Sequence, residues 1–241
     1  MKEVTINIAL KRFVPVGAAA PVIALRDLRF SLTPGEFVCV LGPSGCGKTT
    51  LLNIVAGLDN DFAGRVDGGG DPTRGGPIIG YVFQTPRLLP WRTVAENIQL
   101  VLRPGQNIGI VDELLAMTGL SEFRDTYPER LSVGMSRRVA LVRAFAVEPD
   151  LLLMDEPFVS LDEATAQKLR QMLLVIWQRR PTTVLFVTHD TREAVLLADR
   201  IVKLTASPGT VDKIIAVDIP RQQRGDSGII ESWRALYLQE S

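Results

Sequence analysis

The sequence has little cysteine, little histidine and no surplus of either charge. Lys plus Arg equals Asp plus Glu at 27 each. The basic footprint that nucleic acid requires is therefore missing, and no nucleic-acid partner is expected. The two cysteines, Cys39 and Cys46, stand seven positions apart. One lies inside an apolar run and the other in a glycine-rich turn, so they do not read as a disulfide, and a reducing compartment is expected. No apolar run approaches the length of a membrane span. The stretch from Gly17 to Leu25 is apolar but short, and Pro21 interrupts it. The N-terminus has no basic region followed by an apolar core, which argues against a secretory signal. Internal repeats and low-complexity tails are lacking too. What is there is 241 residues at 46% apolar content. That is enough for one sizeable α/β core or two small domains.

Residues 42–49 read Gly42-Pro43-Ser44-Gly45-Cys46-Gly47-Lys48-Thr49, the pattern G-x-x-x-x-G-K-[ST] of a phosphate-binding loop. An apolar run, Phe37 to Leu41, precedes it, and a helical stretch, Thr49 to Ala56, follows. Glycines let the backbone wrap closely, so that N–H groups point at phosphate oxygens. A helix N-terminus adds positive potential. Lys48 is expected to reach the β- and γ-phosphates of ATP, and the Thr49 hydroxyl to ligate Mg²⁺. Thr50 completes the phosphate-binding set. Cys46, in the same potential, is expected to be a reactive thiol that bound MgATP protects.

Three segments read as strands buried on both faces: Phe37–Leu41, Leu151–Met154 and Thr183–Val187. Helical stretches separate them, which argues a mostly parallel, doubly wound sheet. Ligands bind at the carboxyl ends of such strands. The first ends at the phosphate loop, the second at Asp155-Glu156 and the third at Thr188-His189-Asp190. Asp155 is expected on the metal side, binding Mg²⁺ through water. Glu156 is expected to orient or deprotonate the attacking water. An Asp-Glu-Pro turn that merely caps a helix is the alternative, and the phosphate loop weighs against it. His189 at a strand end can hydrogen-bond the γ-phosphate and that water.

With these residues in place, nearly the whole chain resembles the ATP-binding subunit of an ABC transporter. Gln84 in Tyr81-Val82-Phe83-Gln84 matches the Q-loop glutamine. Leu131-Ser132-Val133-Gly134-Met135 sits at the signature, Val159-Ser160-Leu161-Asp162 at the D-loop, and His189 at the switch histidine. The resemblance implies a P-loop NTPase core with a mostly parallel sheet and an N-terminal antiparallel β part. It also implies a helical subdomain inserted at about 86–148 of a single 1–241 domain. Gln84 would sense the metal and the γ-phosphate. Ser132 and Gly134 of one copy would close over nucleotide held by a second copy, head to tail, with Asp162 reaching across. As plain structure, Gln84 is a polar strand end and Asp162 a helix N-cap; both accounts can hold together. Transmembrane permease subunits would dock on the helical part, with a periplasmic solute-binding protein acting indirectly. The location implied is the cytoplasmic face of the plasma membrane, peripherally bound.

Within the helical part, Ala95 to Leu102 and Asp112 to Met117 carry helical patterns, with Gly119 as a stop. Leu88-Leu89-Pro90-Trp91 offers a contact patch. That segment, Met135 and the run Ser207-Pro208-Gly209-Thr210 through Arg221 resemble the nitrate/sulfonate/taurine importer branch. The regulatory domain that sugar-importer ATPases append is not expected. Val133 departs from the family by replacing the first signature glycine. A φ below zero there would leave the loop's N–H groups usable. Phe13 is either the residue that stacks on adenine or the apolar end of an N-terminal strand. Two other functions stay open, a soluble ABC-type ATPase outside transport and a nucleotide-dependent binding module that hydrolyses poorly.

Overall fold

The computed structural model describes residues 2–14, 20–69 and 76–238. Residues 17–19 of the apolar Gly17–Pro21 stretch lie outside the described residues. In chain order the elements are β1 (Val4–Phe13), β2 (Val22–Leu32), β3 (Phe37–Leu41), α1 (Lys48–Val55), β4 (Ala63–Asp67) and β5 (Ile79–Val82). There follow α2 (Val94–Gln99), α3 (Gly109–Met117), α4 (Val133–Ala146), β6 (Leu151–Asp155) and α5 (Glu163–Arg179). Last come β7 (Thr183–Thr188), α6 (Thr191–Leu197), β8 (Arg200–Leu204), β9 (Val211–Ala216) and α7 (Ser227–Tyr237). They fall into two compact units, Met1–Pro77 with Thr183–Ser241, and Ile78–Thr182.

The first unit holds two sheets. One is antiparallel, in the order β2-β1-β4. In β1, Val4, Ile6 and Ile8 are buried and Thr5 and Asn7 exposed, the period-two pattern of a strand with one wet face. In the other sheet β3 lies between β7 and β8, parallel to both, and β9 closes the edge antiparallel to β8. All five residues of β3 and all six of β7 are buried, as expected of central parallel strands. The register sets Leu41 opposite Thr188. Gly42 N–H donates to the Thr188 carbonyl at 3.4 Å, so the segments after these two strands emerge side by side.

The loop between β8 and β9 supports the phosphate loop from behind. Gly209 exchanges backbone hydrogen bonds with β2, donating to Ala24 O at 2.9 Å and accepting from Arg26 N at 3.1 Å. A side chain at 209 would run into the Cys46 carbonyl oxygen and approach Leu25 Cδ2 at 3.2 Å.

In the second unit β5 and β6 pair in parallel. All of β6 is buried, and Asp155 is its last residue. Helices α2, α3 and α4 lie between these strands in sequence. The Thr93–Glu96 capping box starts α2, with Thr93 N–H donating to Glu96 Oε2 at 2.8 Å. This helix ends at Gln99, earlier than the pattern to Leu102 predicts. Val101 and Leu102 bond back three residues, to Ile98 and Gln99, so the last turn tightens out of α geometry. Conversely α3 starts at Gly109, before Asp112, because the Asn107 side chain accepts from Gly109 N–H at 2.9 Å.

Gly209→Ala is expected to destabilise the chain by about 1–3 kcal/mol through overpacking. Thermal melting should show Tm falling by several degrees, and titration should show weaker nucleotide binding. An unchanged Tm would mean that the loop does not press on Cys46.

Candidate functional site

In the first unit the phosphate loop leaves β3 at Gly42 and becomes α1 at Lys48. Gly47 takes φ 96°, a conformation in which a side chain is strained, and a Cβ there would sit 2.6 Å from Leu25 Cδ2. Pro43, Ser44, Gly45 and Thr49 are exposed, whereas Gly42, Cys46 and Lys48 are buried. No acidic residue stands in the first turn of α1, so nothing on the helix itself opposes its positive end. Lys48 is 6% exposed, and its ammonium donates to the Gly42 and Pro43 carbonyls, both at 2.9 Å. The cation is thus held at the mouth of the loop. Thr50, partly buried, continues α1.

His189 directly follows β7, at the edge from which Gly42 leaves β3. Its neighbours are fixed on both sides. The Thr188 hydroxyl donates to Glu193 Oε2 at 2.7 Å, and Asp190 caps α6 by accepting from Arg192 N–H at 2.7 Å. The imidazole itself is exposed. Phe13 closes β1, opposite Val22, with its ring 44% exposed and Lys11 Nζ 4.7 Å from the ring centroid. Val22 lies two residues before Ala24, whose carbonyl backs Gly47.

In the second unit Asp155 is buried at the end of β6, and Glu156, half-buried, follows at φ 41°. A non-glycine residue in this left-handed region is strained, and such strain gathers at functional sites. Gln84 presents its side chain to solvent. Before it, Tyr81 stacks on Phe83 at 4.1 Å, and the Arg87 guanidinium covers Phe83 at 4.0 Å. Burial pushes the Tyr81 hydroxyl well above its ordinary pKa, and the Asp155 charge adds to this.

The signature segment forms the start of α4. Ser132 is the N-cap, its hydroxyl accepting from Met135 N–H at 3.2 Å. Val133 is the first helical residue, with ordinary helical backbone, and 62% of it faces solvent. Gly134 answers to packing: a Cβ there would lie 2.7 Å from Thr165 Cγ2 on α5. Asp162 caps α5, accepting from Thr165 N–H at 3.0 Å, and these Thr165 hydrogen bonds lower its pKa.

Two contributors carry no signal in the sequence. Asn97 is fully buried in α2 and bonds the backbone of Leu89, Arg92 and Thr93, which holds Trp91 out at 68% exposure. Arg137 in α4 is 9% exposed and bonds the carbonyls of Gln84, Pro157 and Val159. An asparagine or arginine inside a helix reads as a surface residue until its burial is known.

The phosphate loop on a parallel strand, with carboxylates and a histidine at further strand ends, defines a P-loop ATPase. The ABC transporter family profile matches residues 25–159. The aliphatic sulfonates import ATP-binding protein SsuB of Bacillus licheniformis is 44% identical over 219 residues, covering 90% of this chain and 86% of that protein. An uncharacterized ABC transporter ATP-binding protein of Methanocaldococcus jannaschii, MJ0412, is 46% identical over 204 residues, covering 82% of this chain and 76% of that protein. The ATP-binding cassette MJ0796, solved as a dimer in a post-hydrolysis state with ADP and Pi, superposes with a TM-score of 0.75 at 30% identity. That match covers 90% of this chain and 100% of that one. The chain belongs to the ABC transporter family of ATP-binding ATPases.

Cys46 does not take the reactive role that its place in the loop suggests. Its side chain is turned into the fold and wholly buried, so any phosphate contact is left to its backbone N–H. Cys39 is equally buried; burial raises its thiol pKa well above the ordinary value, Glu193 adds to this and Lys48 opposes it. Both thiols are therefore expected to resist iodoacetamide in the native protein and to react fully in denaturant. Mass spectrometry of the two samples checks this, and rapid native labelling of Cys46 would contradict the buried placement.

Proposed function

We propose that this chain is the ATP-hydrolysing subunit of an importer for a small anionic solute of the sulfonate, taurine or nitrate kind. It works as a head-to-tail pair beneath separate permease subunits, on the cytoplasmic face of the membrane, with a solute-binding protein delivering the cargo. The observation that carries the ATPase part is the buried Lys48 ammonium at the uncompensated start of α1. Solute class rests on the likeness to sulfonates import proteins. The exposed Trp91 patch, anchored through Asn97, fits a permease contact. Among the described residues no helix is long and apolar enough to cross a membrane, so the path for the solute is assigned to other subunits.

The residues take these roles. Within the Gly42–Thr50 loop, where Pro43 has no N–H and Gly42 N–H is given to Thr188 O, the backbone N–H groups of the residues from Ser44 to Thr50 and the Lys48 ammonium hold the phosphates. Phe13 covers the adenine. Thr49, Asp155 and Gln84 would hold Mg²⁺; a hydroxyl, a carboxylate and an amide are the hard oxygen donors that ion takes. Among the described residues no three His, Cys, Asp or Glu side chains cluster as a metal site, and Mg²⁺ is commonly held by one or two protein groups together with substrate phosphates. Such an ion neutralises charge developing on the phosphoryl oxygens. Glu156 orients and deprotonates the attacking water, and His189 donates to the γ-phosphate. Ser132 and Gly134 of the partner copy close the site.

Glu156→Gln is expected to keep nucleotide affinity and lose turnover by about 10²–10⁴-fold, the usual worth of a general base. Gel filtration with ATP should then show a trapped dimer. Normal turnover in this variant would assign the water to another residue. In proteoliposomes, permease and solute-loaded binding protein should raise the ATPase rate; indifference to both would favour a soluble ATPase outside transport.

Val133→Gly is expected to change turnover less than about tenfold, or roughly 1.4 kcal/mol at the barrier. As the first two helical residues, Val133 and Gly134 have no intrahelical acceptor for their N–H groups, while Met135 N–H is taken by the Ser132 hydroxyl. A nearly silent wild type that glycine rescues would instead mark a nucleotide-dependent binding module.

A further inference from the structure

Two loops in the second unit meet on one side chain. Arg137 Nη1 donates to Gln84 O at 2.9 Å and to Pro157 O at 2.9 Å, and Nη2 donates to Val159 O at 2.8 Å. The residue is 9% exposed, and burial lowers its pKa. Its Nε–H has no partner among the described residues. Burying a guanidinium with one donor unmet is costly, and an apolar residue filling the same space would cost less. What only the guanidinium supplies is a planar fork that reaches several carbonyls at once.

The carbonyls it grips are placed tellingly. Pro157 and Val159 lie between Glu156 at φ 41° and Ser160 at φ 63°, two non-glycine residues in the left-handed region. Backbone strain of this kind persists only where the surroundings over-determine it. The third carbonyl belongs to Gln84, and the fork itself rides on α4, whose first turn is the signature segment.

We propose that Arg137 is a positioning residue that fastens the Gln84 loop and the Glu156–Asp162 loop to the signature helix, so that the three move as one body. It holds Glu156 in its strained backbone and transmits any shift of Gln84 to the signature. This rests on the reading of Glu156 and Gln84 as parts of the hydrolytic site. Its guanidinium donates to the carbonyls of Gln84, Pro157 and Val159, so its role is one of loop position rather than of nucleotide binding.

The test compares Arg137→Ala, Arg137→Lys and Arg137→Gln with wild type and Glu156→Gln, in steady-state ATPase and nucleotide-binding assays. Arg137→Ala is expected to lose kcat by roughly 10–100-fold, the scale of a small misplacement of a catalytic group, while nucleotide Kd stays within about threefold. Lysine keeps the charge but not the fork, and should be impaired like alanine. Glutamine keeps two donors and should fall between, which leaves a readable variant if alanine does not fold. Millimolar methylguanidinium should restore part of the lost kcat of Arg137→Ala saturably, and methylammonium at equal ionic strength should not. Hydrogen exchange should show residues 158–162 losing protection in the alanine variant. Full activity in alanine or lysine, or kcat and affinity falling together without methylguanidinium rescue, would overturn the proposal. If Glu156→Gln turns over normally, the reading of the hydrolytic site has failed instead.

Discussion

A triphosphate carries more negative charge than one side chain can neutralise, and the first unit is organised around that demand. The response is a turn so tight that backbone N–H groups of a loop and a helix start share one small space. Gly47 at φ 96° makes the turn, and its missing Cβ is filled by Leu25 from β2. Lys48 is then buried, and a buried ammonium needs oxygen partners, which the Gly42 and Pro43 carbonyls provide. The parallel strands on either side of β3 follow from the same need. A strand buried on both faces is rigid, and its register with β7 puts His189 beside the start of the loop. The antiparallel sheet and the Gly209 loop press on the loop from behind, so a device exposed to solvent on one side is braced on the other.

The second unit solves a different problem. Its working segments are loops without ladder hydrogen bonds, and their carbonyls need donors. Buried and half-buried helix side chains supply them. Arg143 Nη1 and Nη2 take the carbonyls of Arg87 and Pro86, at 2.9 and 2.6 Å. Asn97 takes those of Leu89, Arg92 and Thr93. Arg137 takes those of Gln84, Pro157 and Val159. Every one of these loops carries a residue with a proposed role, and none is held by a sheet. Helices that are themselves capped, α2 by Thr93 and Glu96 and α4 by Ser132, act as the frame.

Much of this was legible before any coordinates. Solid apolar runs mark β3, β6 and β7 because central parallel strands bury both faces, and the motif names what lies at their ends. The N-cap at Asp162 reads directly, since a small polar residue before a helical pattern has a local cause, whereas the capping role of Ser132 comes from the structure. What escaped depends on tertiary direction. Cys46 sits in the right loop but faces inward, and no spacing rule tells which way a side chain in a turn points. Arg137 and Asn97 carry their meaning through partners 53 and eight residues away in sequence. The early end of α2 reflects a last turn that tightens to three-residue spacing, below the resolution of a hydrophobic pattern.

The same distinction accounts for the valine in the signature. A glycine at a phosphate-binding position is required when φ must be positive or when a neighbour occupies the Cβ space. Neither holds at Val133, whose backbone is helical and whose side chain looks into solvent. At Gly134 the second condition does hold, because Thr165 stands 2.7 Å from where a Cβ would be. The two adjacent positions therefore differ in kind. The first must only keep its N–H pointed out of the helix start, which many residues can do. The second must stay small so that α4 and α5 can approach, and that approach sets the angle at which Ser132 presents its end of the helix. On the proposed role, the signature acts through backbone and helix packing, so tolerance to side-chain change there is expected to follow the neighbours of each Cβ rather than membership of the motif.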